Sequence, residues 1–280
     1  MNGSRFRCIE EVALQQNSSV GYELMGSLIE TVYGDDIHYG YWADDADDSP
    51  MPIAQERLTD LVISKLDLRP GMRVLDVGCG TGGLARRVRA TTGADVLGIT
   101  LSQWEVDEAT RKAEAAGMPD GVSFARVDVT DVPFEDASFD AVVVVEVLVH
   151  VLAKRAAFRE MQRVLRPGGR LVLAEPVKRI PLNSEQVATW LGLRMAPVPK
   201  LPAYLDMISA AGLDPVETVD LTDRVRRSFT ELSNAVHAGK RARAATHPAH
   251  VLDQVGQMIL DVQAVAESCH GYVLCTAVAR

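Results

Sequence analysis

The run Asp76-Val-Gly-Cys-Gly-Thr-Gly-Gly puts a carboxylate two residues ahead of a glycine loop. The loop joins an apolar stretch, RVLDVG, to an amphipathic one, LARRVRATT. Glycines let the backbone approach a bound ligand closely, and the start of the following helix offers unpaired N–H donors. Gly78, Gly80 and Gly83 satisfy the dinucleotide spacing GxGxxG. Asp76 opposes that reading, because its carboxylate would repel a pyrophosphate. Thr100, at the end of the second apolar stretch, also lacks a neighbouring acid for a nicotinamide ribose. A phosphate-binding loop fails as well, since no Lys-Ser/Thr pair closes the motif. A ligand carrying a cationic amino group suits the acidic loop better.

A second group can move protons. Residues 142–152 read VVVVEVLVHVL, with Glu146 and His150 as the exceptions in an aliphatic run. Histidine titrates near neutral pH and is the usual general base of a hydroxyl activation. Glu175, closing RLVLAE, and His38, within DDIHYGYW, are further candidates for the same task. The alternative for His150 is a spectator at a helix start, facing water.

These residues need a sheet to carry them. From 72 to 175, short apolar stretches alternate with amphipathic ones: strands at 73–78, 94–100, 122–127, 139–147 and 170–175, with helices between them. Such alternation predicts a parallel sheet covered on both faces, with ligands at the carboxyl ends of its strands. Helical spacing also marks 10–32 and 53–66, and DPVETVDL and GYVLCTAVA read as later strands. The expected organisation is an N-terminal helical lid (1–70), a core (71–176), cap helices (177–270) containing a core strand at 214–221, and a closing strand (271–280).

Composition narrows the function. The 280 residues carry a net charge of −9 without a basic stripe, which argues against nucleic acid as partner. Cys8, Cys79, Cys269 and Cys275 show no paired spacing, so neither a metal site nor a disulfide framework is expected. No signal segment or membrane-length apolar run appears, and the expected setting is the reducing cytoplasm. A homodimer is compatible with the sequence.

VLDVGCGTGG at 74–83, DVTDVPFEDASFD at 128–140 and VLRPGG at 164–169 together resemble the motifs of class I S-adenosylmethionine (SAM)-dependent methyltransferases. GDDIHYGYW at 34–42 is similar to an N-terminal motif of the small-molecule group, which includes antibiotic-pathway sugar O-methyltransferases. The resemblance implies an α/β, Rossmann-like fold: a seven-stranded, mostly parallel sheet, its last strand antiparallel, plus a helical cap. It implies SAM as cofactor and a small-molecule acceptor. Asp76, Gly78 and Gly80 would hold the amino acid end of SAM, with Glu146 near its methionine. Thr100, Leu101 and Gln103 would meet the ribose, and Asp128 and Val129 the adenine. Tyr33, Tyr41 and Trp42 would close over the donor, and cap residues such as Trp190, Leu191, Leu193 and Met195 would line the acceptor pocket.

One departure directs the acceptor expectation. Relatives that methylate sugars carry a His-His pair where this chain has Val149-His150. A missing imidazole makes a hydroxyl harder to activate, so the sequence leans towards N-methylation of an amine. O-methylation of a sugar or other hydroxyl is the alternative, followed by a cyclase or a non-catalytic SAM-binding protein on the same fold.

Overall fold

The computed structural model describes residues 36–118, 120–192, 195–243 and 249–280. The expected helix at 10–32, Tyr33 and Leu193 lie outside the described residues. In chain order the elements are α1 (Met51–Leu66), β1 (Arg73–Val77), α2 (Gly83–Thr92), β2 (Asp95–Thr100), α3 (Gln103–Ala115), β3 (Val122–Arg126) and β4 (Phe139–Val145). After a 3-10 turn at Leu148–His150 come α4 (Lys154–Val164), β5 (Leu165–Lys178), α5 (Ser184–Gly192) and α6 (Leu201–Ala210). The chain closes with β6 (Leu213–Asp220), α7 (Thr222–Val225), α8 (Arg227–Arg243), α9 (Ala249–Cys269) and β7 (His270–Ala279).

The strands form one sheet in the order β3-β2-β1-β4-β5-β7-β6. β7 runs antiparallel to both β5 and β6, while the pairs among β1–β5 are parallel. Successive side chains of a strand alternate faces, and the aliphatic run of β4 uses both. Val142 and Val144 pack with Leu75, Leu171, Phe158 and Met161 under α4 and α6. Ala141 and Val143 pack with Val74, Val172, Leu58 and Val88 under α1 and α2. This two-sided burial explains why β4 reads as unbroken valine rather than as an alternating strand.

The sheet order reverses between β1 and β4, so the chain leaves these neighbouring strands in opposite directions and opens a crevice at their carboxyl ends. The loop after β3 is fixed from behind by Arg163 of α4. Its guanidinium donates to the carbonyls of Val132 and Phe134 and to Glu160. β6 forms the outer edge and is bulged around Pro215–Glu217, leaving Val216 exposed.

Candidate active site

Gly78 turns the chain sharply away from β1. Its φ is +72°, and a Cβ there would lie 2.2 Å from Val147 Cγ2, so only glycine permits the glycine loop to lie against the end of β4. The loop is anchored by N–H donations from Gly78 and Cys79 to the Ile99 carbonyl. Gly80, with φ +51°, faces open space bounded by Ile37.

Two connected hollows follow. A recess of about 40 Å³ is lined by Asp36, Ile37, His38, Asp76, Gly78 and Gly80, among others. It adjoins a cavity of about 600 Å³ bounded by Thr100, Leu101, Trp104, Glu105, Asp128, Val129, Glu146 and His150, with further apolar residues between them. Asp36, Asp76, Glu105, Asp128 and Glu146 are all acids, and none of the described lining residues is Lys or Arg. A pyrophosphate would be repelled here, whereas a ligand with positive groups would be attracted.

Asp76 is the deepest acid. It is buried, its Oδ2 has no partner, and burial together with nearby Asp36 pushes its carboxyl up to about 7. An ammonium group placed in the recess would satisfy that oxygen and relieve the repulsion. The residues therefore fit the α-amino end of SAM.

Further along, Thr100 donates its hydroxyl to Glu105 Oε2. Burial raises the Glu105 carboxyl, and the Thr100 hydrogen bond partly offsets this. Gln103 instead bonds Asp107 on the exposed face of α3 and is not among the cavity-lining residues. An acid does stand beside Thr100 in the fold, but it comes from five residues further along the chain, where adjacency in sequence does not reveal it. Asp128 serves two purposes. Its Oδ1 accepts from the Thr130 N–H and hydroxyl, each at 2.8 Å, while the residue lines the cavity beside buried Val129.

Several sequence expectations need correction. Trp42 is buried away from the cavity, donating its indole N–H to the Ser49 carbonyl with Arg227 stacked 5.6 Å from its ring centre. Tyr41 packs against the core on the α1 face. The segment contributes Asp36, Ile37 and His38 to the hollows, and of these only His38 was a sequence candidate. His38 reaches the recess, but both its nitrogens are engaged. The Tyr39 carbonyl can only accept, so Nδ1 carries the proton, and Nε2 accepts from the Thr59 hydroxyl. A histidine bonded in this way is a strut rather than a free base.

Glu146 has a left-handed backbone (φ +55°) and accepts at Oε1 from the Tyr39 N–H (2.8 Å) and the Tyr272 hydroxyl (2.9 Å). Burial pushes its carboxyl up to about 8. It ties the 36–40 segment to the strand ends while forming part of the cavity wall. Glu175 is wholly buried beneath the turn after β4, where its Oε1 accepts from the N–H groups of Val147 and Leu148. It does not line the cavity, which corrects its expected role as a base.

His150 does line the cavity. The residue is exposed, yet the protein around its ring, with a lesser effect from Lys154, holds its pKa below the usual imidazole range. Val149 points elsewhere, into a cluster with Trp190, Met195, Val198 and Val265. Its carbonyl accepts from the Ala196 N–H at 2.7 Å. Trp190 and Met195 are therefore packing residues, and Leu191 is exposed; none of the three lines the described cavity.

Residues 75–173 match the model of a methyltransferase domain. Methyltransferase GfsG of Streptomyces halstedii is 34% identical, over 73% of this chain and 75% of that protein. The chain belongs to the class I SAM-dependent methyltransferases. It is similar in the same degree, 34%, to the 27-O-demethylrifamycin SV methyltransferase of Amycolatopsis mediterranei, over 81% of this chain and 84% of the relative. Among solved structures, the [4+2]-cyclase SpnF superposes with a TM-score of 0.80 at 31% identity, covering 92% of this chain and 94% of that one. SAM is the cofactor of this methyltransferase. Among the described residues no helix is long and apolar enough to cross a membrane, and no cluster of potential metal ligands occurs.

Proposed function

We propose that this methyltransferase acts on a hydroxyl group of a medium-sized natural product, with His150 as the general base. The observation that carries the reading is His150 on the cavity wall with its pKa held down, so that the neutral, proton-accepting imidazole prevails at neutral pH. SAM, when bound, supplies an electrophilic methyl group on a positively charged sulfur. In this reading Asp76 and Asp36 hold the donor's ammonium, Glu105 with Thr100 its ribose, and Asp128 with Val129 its adenine. Glu146 keeps the 36–40 segment closed against the donor. The cavity aligns the two substrates and excludes water, while His150 takes the hydroxyl proton as the oxygen attacks carbon.

The amine expectation rested on Val149 as a vacated base position. Val149 is packed into the cap cluster, so its identity carries no information about the acceptor's acidity. The similarity to a relative named for O-methylation favours the hydroxyl reading. The deciding experiment incubates the protein with methyl-labelled SAM and hydroxylated or amine-bearing metabolites of the producing strain, then locates the label by NMR. Label on nitrogen would reject the proposal. The likeness to SpnF supports a second reading, in which the chain turns over its substrate by cyclisation. Conversion without S-adenosylhomocysteine would select it.

A further inference from the structure

The turn that carries His150 rests on a buried acid and a buried base. At its start, Glu175 Oε1 accepts from the N–H groups of Val147 (2.8 Å) and Leu148 (2.9 Å). At its end, Lys154 Nζ donates to the Val151 carbonyl at 2.8 Å. Glu175 is 0% exposed and Lys154 6%, and each charge is felt by the other. The arrangement matches the polarity of the turn, with a carboxylate facing its exposed N–H groups and an ammonium facing its carbonyl end.

Neither side chain lines the cavity, so neither is placed to touch the acceptor. Apolar residues of similar size would fill these positions without the cost of burying charge. We propose that Glu175 and Lys154 are positioning residues for methyl transfer, clamping the Val147–Val151 turn from beneath and holding the His150 imidazole at the cavity wall. This rests on the reading of His150 as the base. The other ionisable groups around the clamp are Tyr204 from α6, whose buried hydroxyl has no partner, and Glu146 with Tyr272 at the neighbouring strand ends. Across the cavity stand Glu105 and Asp128. Of these, Lys154 supplies the charge that acts on His150.

The test uses the full chain saturated with S-adenosylhomocysteine and needs no acceptor. The His150 ring signal, assigned by its loss in His150→Ala, is titrated by NMR. Lys154→Met should move its titration to higher pH, and Lys154→Arg should restore it. In parallel, hydrogen exchange at the Val147 and Leu148 amides should accelerate tenfold or more in Glu175→Ala, the loss expected for bonds to a charged acceptor. Glu175→Gln, which keeps an accepting oxygen, should retain most of the protection and serves if the alanine variant does not fold. Superimposable titrations of wild type and Lys154→Met, or unchanged exchange in Glu175→Ala, would overturn the clamp. If His150 is not the base, His150→Ala will retain full turnover while the titration and exchange results stand.

Discussion

Replacing Asp76 by Asn should do two opposite things: stabilise the ligand-free protein and weaken its hold on the donor. The folded carboxyl is pushed up to about 7 by burial and by Asp36. A raised carboxyl pKa means that the fold binds this proton more tightly than the unfolded chain does. The resulting stability is complete below the ordinary carboxylate range and is lost as pH rises to about 7. A displacement of about three units corresponds to at most about 4 kcal/mol, so Asp76→Asn should melt higher than wild type at pH 8 by several degrees. Donor binding has the reverse sign, because the ammonium of SAM needs the ionised carboxylate. Affinity for S-adenosylhomocysteine, which keeps that ammonium, should rise about tenfold per pH unit up to about pH 7 and then level off. It should fall again only at clearly alkaline pH, where the ligand's amino group loses its own proton. Calorimetry in buffers of different ionisation enthalpy would register the proton released on binding below pH 7. In Asp76→Asn the rising limb should vanish and affinity should drop about ten- to a hundredfold, the worth of a charge-assisted hydrogen bond. Wild-type affinity independent of pH between about 5.5 and 7, or a variant retaining the slope, would refute the assignment of Asp76 to the ammonium.

Other substitutions probe the remaining walls. Glu105→Gln should weaken S-adenosylhomocysteine about tenfold in calorimetry, since the amide replaces a charged acceptor for the ribose; an unchanged constant would remove Glu105 from the donor site. Gly78→Ala places a methyl 2.2 Å from Val147 Cγ2 on a left-handed backbone, so a stability loss of about 2 kcal/mol or more in urea unfolding and loss of donor binding are expected. Val149→His should cost about 2 kcal/mol, because the imidazole would be buried among Trp190, Met195 and Val265, and should not improve turnover of hydroxyl acceptors. Tyr272→Phe removes one of the two donors to Glu146 and should lower stability by about 1 kcal/mol in the same unfolding assay.

Local chemistry decided which parts of this molecule were legible in its sequence. The parallel sheet could be read because valines buried on both faces leave an unmistakable run, and the glycine loop because its dihedrals admit few other residues. The place of Asp76 on the recess wall was legible for a related reason, since it stands directly ahead of the loop glycines. Glu105 was not, because it stands five residues beyond Thr100 and reaches the cavity only once α3 turns it inward. Glu175 and His38 were assigned to chemistry by residue type and position, and Trp42 by the resemblance of its segment to a family motif. Each proved to be a buried group whose hydrogen bonds hold backbone, a distinction made by partners distant in sequence: Val147 for Glu175, Thr59 for His38, Arg227 for Trp42. The direction of Val149 was equally hidden, since a 3-10 turn rather than a strand sets which way residues 148–150 face.

The acids on the cleft wall also bear on turnover. Methyl transfer removes the positive charge from sulfur, so the molecule that enters has one more positive charge than the one that leaves. With the donor placed as proposed, carboxylates on the wall and no Lys or Arg among the described lining residues hold the first more tightly than the second. In that placement the cleft would sort fresh donor from spent donor by charge, and the chemical step itself would loosen the product for release.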